Sequence, residues 1–241
     1  MNSFTYNGSS SLEMGLRIES KNVFSSPKYD ASFTAIPGRD GELIIPNARF
    51  PNVQVTYTVF VPAKSIGELA DRMTSIKAWL FSEPNRYHEL RDTYDGNFYR
   101  KAVINTQLNI EDQLNRIGTF TVSFSCHPFR YSDEGQTEVS VRNNGRVTNP
   151  YAFTSKPIIK ISGSGDGELR IVNNTIQKWD LTDIENGMLI DSEQMNCYKE
   201  VTPLNDRISG DGFPVLYPGT SYIVFNGGIT AVEITPRWCT L

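Results

Sequence analysis

The sequence predicts a mainly β protein with one prominent helix, arranged as two domains. Residues 53–61 alternate apolar and polar side chains, which is typical of a half-buried strand. Residues 66–80 instead repeat apolar side chains at helical spacing. After Pro157 the chain becomes a series of short β-rich segments, and Gly, Asn and Asp clusters separate them about every 8–12 residues. This rhythm indicates a small β-sandwich behind an N-terminal β-rich domain.

The first half is expected to consist of strands that surround the helix. Residues 43–45 and 53–61 are rich in β-branched and aromatic side chains, and Pro62 should end the second run. Further strands are expected at 99–110 and at 118–126, where Phe and Val alternate with Thr and Ser.

One amphipathic helix of about five turns is expected over residues 65–83. Ser65 and Glu68 have the spacing of a capping box, in which a hydroxyl and a carboxylate satisfy backbone N–H groups at the helix start. Pro84 prevents continuation. We interpret the apolar stripe of this helix as core packing rather than as a ligand surface.

A polar stretch at 143–150 is the most plausible domain boundary, because it is rich in Asn and Gly and contains Pro150. The predicted domains are therefore residues 1–145 and 146–241. The strands expected in the second domain are 158–162, 168–172, 177–181, 188–191 and 197–201.

Two glycine-rich segments in the second domain are interpreted as hairpin turns. Residues 226–228, Asn-Gly-Gly, lie between β-rich residues 223–225 and 229–234 and can adopt the positive φ of a hairpin loop. Residues 163–167 superficially resemble a phosphate-binding loop, but a β-like segment follows them and no helix N-terminus is available to hold an anion. Pro218-Gly219 suits a tight turn before the final strands.

Charge and hydropathy exclude several functional classes. The net charge is −4, 21% of the residues are charged, and no block of like charge occurs. These features argue against a dedicated binder of nucleic acid or membrane surfaces. No apolar run approaches the roughly 18 residues of a membrane span, and the first eight residues lack the regions of a secretory signal. Synthesis in a cytoplasm is expected.

The sequence offers little for catalysis or for metal binding. The two histidines, His88 and His127, belong to no metalloprotease motif, and no nucleophile elbow occurs. The three cysteines, Cys126, Cys197 and Cys239, form no Cys-x-x-Cys pair and are expected to be buried or semi-buried free thiols in a reducing compartment. We therefore predict that the protein is not an enzyme, with no catalytic residue, no cofactor and no metal site.

Two alternatives stay open at this point. A carbohydrate-binding module would use Trp79, Trp179 and Trp238 as a stacking platform, although tryptophan more often lies in a core or interface. A β-sandwich glycoside hydrolase would need two facing carboxylates. The acidic cluster Asp191-Ser192-Glu193 is a candidate, and a solvated turn explains it at least as well.

Motifs spread over nearly the whole chain support a different reading. They lie at residues 4–10, 14–16, 36–41, 120–124, 128–131, 155–161, 163–165, 190–193 and 213–238. In this combination and order, the chain resembles the distal tail proteins of long-tailed, siphovirus-type phages and prophages of Gram-positive bacteria.

This resemblance implies an N-terminal ring-forming domain and a C-terminal galectin-like β-sandwich. It also implies a homo-hexameric ring in the virion, at the tail tip, which joins the tail tube protein to tail-associated or baseplate hub proteins and a receptor-binding protein. The resemblance transfers no catalytic residue. A weakly acidic ring suits a lumen through which DNA passes without specific binding.

Overall fold

The computed structural model describes residues 2–241 and confirms a mainly β fold, in which these residues contain a single α-helix. The chain divides into two compact units. The first runs to Arg130 and includes Leu241, and the second spans Tyr131–Thr240. Each unit has its own hydrophobic core.

The first unit is built around one antiparallel sheet, in the order β2-β1-β7-β8-β10-β6-β3, with β9 also paired to β10. Its elements are β1 (Phe4–Tyr6), β2 (Ser9–Ser10), β3 (Arg17–Asn22), β4 (Asp30–Ala35), β5 (Glu42–Arg49), β6 (Val53–Pro62), α1 (Ile66–Leu80), β7 (His88–Asp92), β8 (Phe98–Ile104), β9 (Glu111–Gln113) and β10 (Ile117–Ser132).

The central strands follow the predicted alternation. Val53, Val55, Tyr57, Val59 and Val61 are all buried, and β6 pairs with β10 along its whole length. The expected strand at 99–110 is shorter, since β8 ends at Ile104, whereas the strand expected at 118–126 extends to Ser132.

The helix α1 is shorter than the expected range of 65–83. It ends at Leu80, and the N–H of Phe81 donates to the Lys77 carbonyl. The Ser65 hydroxyl accepts from the Glu68 N–H at 3.3 Å, as the capping box predicts. The Glu68 carboxylate accepts instead from the N–H of Lys64 at 2.8 Å, one residue earlier than expected.

One face of α1 contributes to the core, as the sequence predicted. Its buried residues are Leu69, Met73, Ile76, Trp79 and Leu80. Gly118 of β10 permits this packing, because a side chain there would begin 3.2 Å from the Leu69 methyl group. The Trp79 indole N–H donates to the Tyr6 carbonyl at 2.9 Å, which also fastens the helix to β1.

The second unit is entirely β apart from two single-turn 3₁₀ helices among its residues, at Glu134–Gln136 and Asn205–Arg207. Its strands are β11 (Val139–Val141), β12 (Gly145–Asn149), β13 (Ile158–Val172), β14 (Ile176–Glu185), β15 (Met188–Asp191), β16 (Asn196–Lys199), β17 (Thr202–Pro203), β18 (Ile208–Gly210), β19 (Gly219–Thr235) and β20 (Cys239–Thr240).

The observed division precedes the boundary expected between residues 145 and 146. Both β11 and β12 pair with β19, so the polar stretch at 143–150 belongs to the sheet of the second unit. Asn144, with φ of 60°, turns the chain between β11 and β12. The polar composition therefore marks a turn between two strands of this unit.

The two hairpin turns predicted at 163–167 and 226–228 are wrong. Each segment lies in the middle of one long strand, the first in β13 and the second in β19. These two strands pair with each other through a bulged region, in which Gly163 is opposite Ile229 and Gly167 is opposite Gly227. A Cβ on Gly228 would lie 1.9 Å from the Ser164 carbonyl oxygen. These glycines allow the two backbones to approach closely. A glycine-rich segment with this role has the same sequence pattern as a turn.

Because of the bulges, the β13–β19 pair continues through two differently composed parts of the sheet. Residues 158–161 of β13 pair with β15, and residues 164–172 of the same strand pair with β14. The pairing order is β11-β19-β13-β15-β16-β17 at one end and β12-β19-β13-β14-β18 at the other. Ile159 and Ile161 from the first end and Leu169 and Ile171 from the second belong to the same core. The galectin-like character of this unit stays a prediction.

Candidate assembly interface

The β4–β5 hairpin, here called the arm, extends from the first unit with little cover. Within residues 2–241 its two strands pair only with each other. Phe33 is 55% exposed and Ile44 57% exposed, and Leu43 and Ile45 are also exposed. Large apolar side chains at this exposure, gathered on one element, are typical of a protein interface.

Both faces of the arm carry apolar side chains. Phe33 lies directly opposite Ile44, so these two share one face. Leu43 and Ile45 are the next residues along β5 and therefore point to the other face, opposite Thr34 and Ser32. A hairpin of this kind needs contacts on two sides to bury its apolar surface.

The base of the arm is held in place by polar and aromatic contacts. Asp30 accepts from Asn47 at 2.8 Å and from Arg49 at 2.6 Å, and these two contacts, Asn47 first, hold the pKa of Asp30 below its usual range. Tyr29 and Phe50 bring their rings to 5.2 Å, and Phe50 packs against Phe129 of β10 at 5.8 Å. The arm is thus anchored to the sheet at its base.

The tip of the arm is the segment 36–41, one of the motifs that carries the resemblance. The Arg39 N–H donates to the Ile36 carbonyl at 3.1 Å, which closes a turn. Gly38 and Gly41 both have φ of 78°, and a side chain at either would meet open space, so backbone conformation explains these glycines. Residues 43–45 were predicted as a strand, but an exposed arm was not, because burial cannot be read from a short apolar run.

The histidines have structural surroundings. The Nε2 atom of the buried His88 lies 3.1 Å from the Glu83 carbonyl oxygen, and its ring meets that of Tyr6 edge-on at 5.5 Å. His127 packs edge-on against Tyr87 at 4.2 Å. These contacts involve no nucleophile and no second imidazole.

The cysteines are buried free thiols, as predicted. Burial raises the pKa of Cys126 to about 12, and of Cys197 and Cys239 to about 11. The thiolate is the reactive form, so burial and the raised pKa values disfavour thiol reactivity at neutral pH. No group of three or more potential metal ligands occurs among residues 2–241.

The acidic cluster at 191–193 is also structural. Asp191 is buried, and both its oxygens accept from Arg237, at 2.7 and 2.9 Å. The N–H groups of Glu193 and Gln194 donate to the same carboxylate. Burial alone would raise the pKa of Asp191, but the bond from Arg237 and these backbone bonds outweigh it and the pKa falls.

The three tryptophans form no stacking platform. Trp79 is buried in the core of the first unit, while Trp179 and Trp238 are buried in that of the second. The Trp179 indole N–H donates to the Gly212 carbonyl at 2.6 Å. All three serve as core residues.

An open groove of about 920 Å³ lies on the second unit, along β11, β12 and β19. Tyr222, which is half exposed, and the exposed Arg142 and Arg146 are among its lining residues. An aromatic face beside polar groups is the kind of surface that can bind sugars or peptides. The sequence did not single out this groove, since its lining comes from separate strands.

Comparisons with known proteins agree with the fold. Residues 7–126 match the model of the phage tail protein RIFT-related domain. The structure is similar to the SPP1 Dit protein, described as a paradigm of the hub adsorption apparatus in phages that infect Gram-positive bacteria, with TM-score 0.75, 14% identity and 100% of both chains covered. It is also similar to chains of the activated phage p2 baseplate with Sr and with Ca, at TM-scores of 0.53 and 0.51, each with 9% identity and 97% coverage of both chains.

No curated protein sequence matches the chain significantly. Among residues 2–241, no helix has the length and apolar character needed to cross a membrane.

Proposed function

We propose that the chain is a structural ring component of the phage tail tip, on the premise that residues 7–126 match the phage tail protein RIFT-related domain. The ring is a homo-hexamer that joins the tail tube to the hub and receptor-binding proteins of the baseplate. The first unit, which runs to Arg130 where the sequence predicted residues 1–145, builds the ring, and the galectin-like second half faces the baseplate partners. The motifs and the likeness to hub and baseplate proteins support this proposal.

The exposed apolar arm is the structural feature that supports self-assembly. Fully burying one Phe, Leu or Ile side chain contributes about 1.5–3 kcal/mol. The arm exposes one Phe, one Leu and three Ile, each already partly covered, so covering the remainder contributes about half of this value for each. If the arm of each copy docks on the next copy, the contact is head-to-tail and must close into a ring to avoid filaments. The number six comes from the resemblance.

The remaining parts of the proposal follow from the same role. The protein is made in the host cytoplasm and ends in the virion. DNA passes through the ring without specific binding, which the net charge of −4 favours. The protein has no catalytic activity and needs no cofactor, in line with buried thiols of raised pKa and histidines in structural contacts.

The ring is tested by replacing the apolar pair on one face of the arm. We expect the full chain to elute as a hexamer in size-exclusion chromatography with light scattering. The double substitution Phe33→Asp and Ile44→Asp should give monomers, since it puts charge where the neighbouring copy would make apolar contact. Val201→Asp is the matched control, because Val201 is exposed and apolar but lies in the second unit.

Two results would contradict this assignment. A dimer whose mass does not change with concentration would exclude the ring. A double variant that still forms hexamers would show that the arm is not the subunit contact.

Carbohydrate binding is the second candidate, and the groove beside Tyr222 favours it. If this groove binds glycans, Tyr222→Ala should abolish the retention of the protein on host cell walls, because the exposed ring would supply stacking. Equal retention of Tyr222→Ala and the unchanged protein would exclude the groove as the site. The glycosidase alternative loses its candidate, since Asp191 is engaged by Arg237.

A further inference from the structure

The groove of the second unit results from a difference in length between the two sides of its sheet. Along β19, the pairing with β11 ends at Val232 and the pairing with β12 begins at Ile223. Between these two positions β19 has residues 224–231, whereas the chain between β11 and β12 has only residues 142–144. The longer segment cannot stay level with the shorter one, so β19 bows away from the turn and the groove opens between them.

The side of β19 that faces this groove is an open strand edge. Residues 224–231 pair through a bulged region with β13 on one side and, within residues 2–241, with no strand on the other. One backbone group is engaged there, because the Phe225 N–H donates to the Asn143 side-chain oxygen at 3.0 Å. An open edge beside a groove is an arrangement to which an extended peptide can add as a further strand.

The lining of the groove is cationic. Arg142 and Arg146 are both exposed, and neither makes an ion pair or a side-chain hydrogen bond within residues 2–241. No Asp or Glu of the described residues belongs to the lining. The whole chain has a net charge of −4, so the positive charge is a local property of the groove.

The acidic residues near the groove lie outside its lining. Glu233 follows the lining on β19, and the Lys160 ammonium lies 2.5 Å from its carboxylate. Asp166 and Glu168 belong to β13, which flanks β19 on the side away from the groove. The two arginines therefore give the groove a positive potential, which favours an anionic ligand.

We propose that the groove binds an extended acidic segment of a partner protein, which adds to the open edge of β19. Carboxylates of this segment contact Arg142 and Arg146, because a guanidinium group matches a carboxylate with two parallel hydrogen bonds. Tyr222 is directly opposite Arg146, so its ring shares a face with that guanidinium and offers apolar contact beside it. This inference rests on the proposed role of the second unit in docking baseplate partners and names the chemistry of one such partner.

A neutral glycan and a phosphate-bearing polymer are the competing ligands. A neutral glycan gains little from the charge of the two arginines, and a phosphate polymer has no backbone amides to pair with β19. Both differences can be measured.

The direct test is the binding of labelled eight-residue peptides to the full chain, followed by fluorescence anisotropy. A peptide that alternates Glu and Val should bind, whereas one that alternates Lys and Val should not. Arg146→Glu should weaken the binding of the acidic peptide at least about tenfold. Lys156→Glu, the same change of charge at an exposed lysine outside the lining, is the control and should leave it nearly unchanged.

Three results would overturn the proposal. They are no binding of the acidic peptide, equal effects of the two substitutions, and tighter binding of inorganic polyphosphate or maltoheptaose than of the acidic peptide.

Hydrogen exchange measured by mass spectrometry tests strand addition separately. A saturating concentration of the acidic peptide should slow the exchange of backbone amides within residues 224–231, while residues 176–181 of β14 should keep their rates. Binding without this protection would show that the groove attracts charge and adds no strand. Light scattering on the same samples reports the oligomeric state, so a failure of peptide binding is distinguishable from a failure of the ring.

Discussion

At the scale of single residues, buried ion pairs join segments of this protein that are far apart in the sequence. Asp191 and Arg237 illustrate this, because they join β15 to the segment after β19 through two hydrogen bonds. The sequence offered Asp191 as part of an acidic cluster that could be a catalytic carboxylate site or a solvated turn, because a carboxylate is usually on the surface. Its partner lies 46 positions away, and no local pattern links the two.

Removing the carboxylate of Asp191 should be costly. Asp191→Ala removes both hydrogen bonds that the largely buried Arg237 donates to this carboxylate, while the Glu193 carboxylate stays 3.6 Å from Arg237. We therefore expect the free energy of unfolding to fall by about 1.5–3 kcal/mol, as for hydrogen bonds to charged groups. Chemical denaturation measures this value. Asp211→Ala, at an exposed aspartate, is the control and should change it little.

The same pair predicts a response to acid. The folded pKa of Asp191 is lowered, so its contribution to stability is complete above the unfolded value of about 3.9 and disappears as the pH falls through the folded value. Asp191→Asn should therefore lose less stability than the unchanged protein between pH 5 and pH 2, which thermal melts at each pH will show. Parallel pH profiles would contradict the assignment.

At the scale of elements, local sequence predicted the strands and the helix but not how the long strands pair. The alternation at 53–61 and the stripe of α1 depend on side chains a few positions apart, and both were confirmed. The glycine-rich segments of β13 and β19 were wrongly predicted as turns. Glycine is needed there because the two segments pair with each other and their backbones approach closely. The arm was missed as an interface for a related reason, since its exposure depends on what the rest of the chain leaves uncovered.

The bulged region should tolerate no added side chain. Gly228→Ala would place a methyl group 1.9 Å from the Ser164 carbonyl oxygen, so we expect a loss of about 1–3 kcal/mol or more in unfolding free energy, measured by urea titration. Gly96→Ala is the control, because a side chain there meets nothing within 4 Å. If the two variants are equally stable, close approach is not what requires Gly228.

At the scale of the whole molecule, the two units should be separable if cut where the contacts divide. A fragment of residues 1–130 is expected to fold and to form rings, because it contains the arm, while a fragment of residues 131–241 should be a soluble monomer. Size-exclusion chromatography of both fragments provides the measurement. A monomeric first fragment together with an oligomeric second one would reverse the proposed division of labour.

A cut at 145/146 offers a useful contrast. It would separate β11 from β19, its pairing partner, and leave Val139–Val141 as an unpaired strand on the first fragment. The second fragment would also lose that strand. We expect lower solubility for both pieces than after the cut at 130/131, measured as the soluble fraction after centrifugation.

The arm also has a consequence for the protein before it assembles. An exposed hairpin with apolar faces and two free edges is a template for uncontrolled strand addition, the first step toward aggregation. Pro46 lies in the middle of β5, where it supplies no N–H to an incoming strand, and Ala48, with φ of 53°, distorts the same strand. The arm thus combines an apolar surface for partners with features that oppose stacking into fibrils, and we expect unassembled subunits to aggregate less than the exposed apolar area alone would suggest.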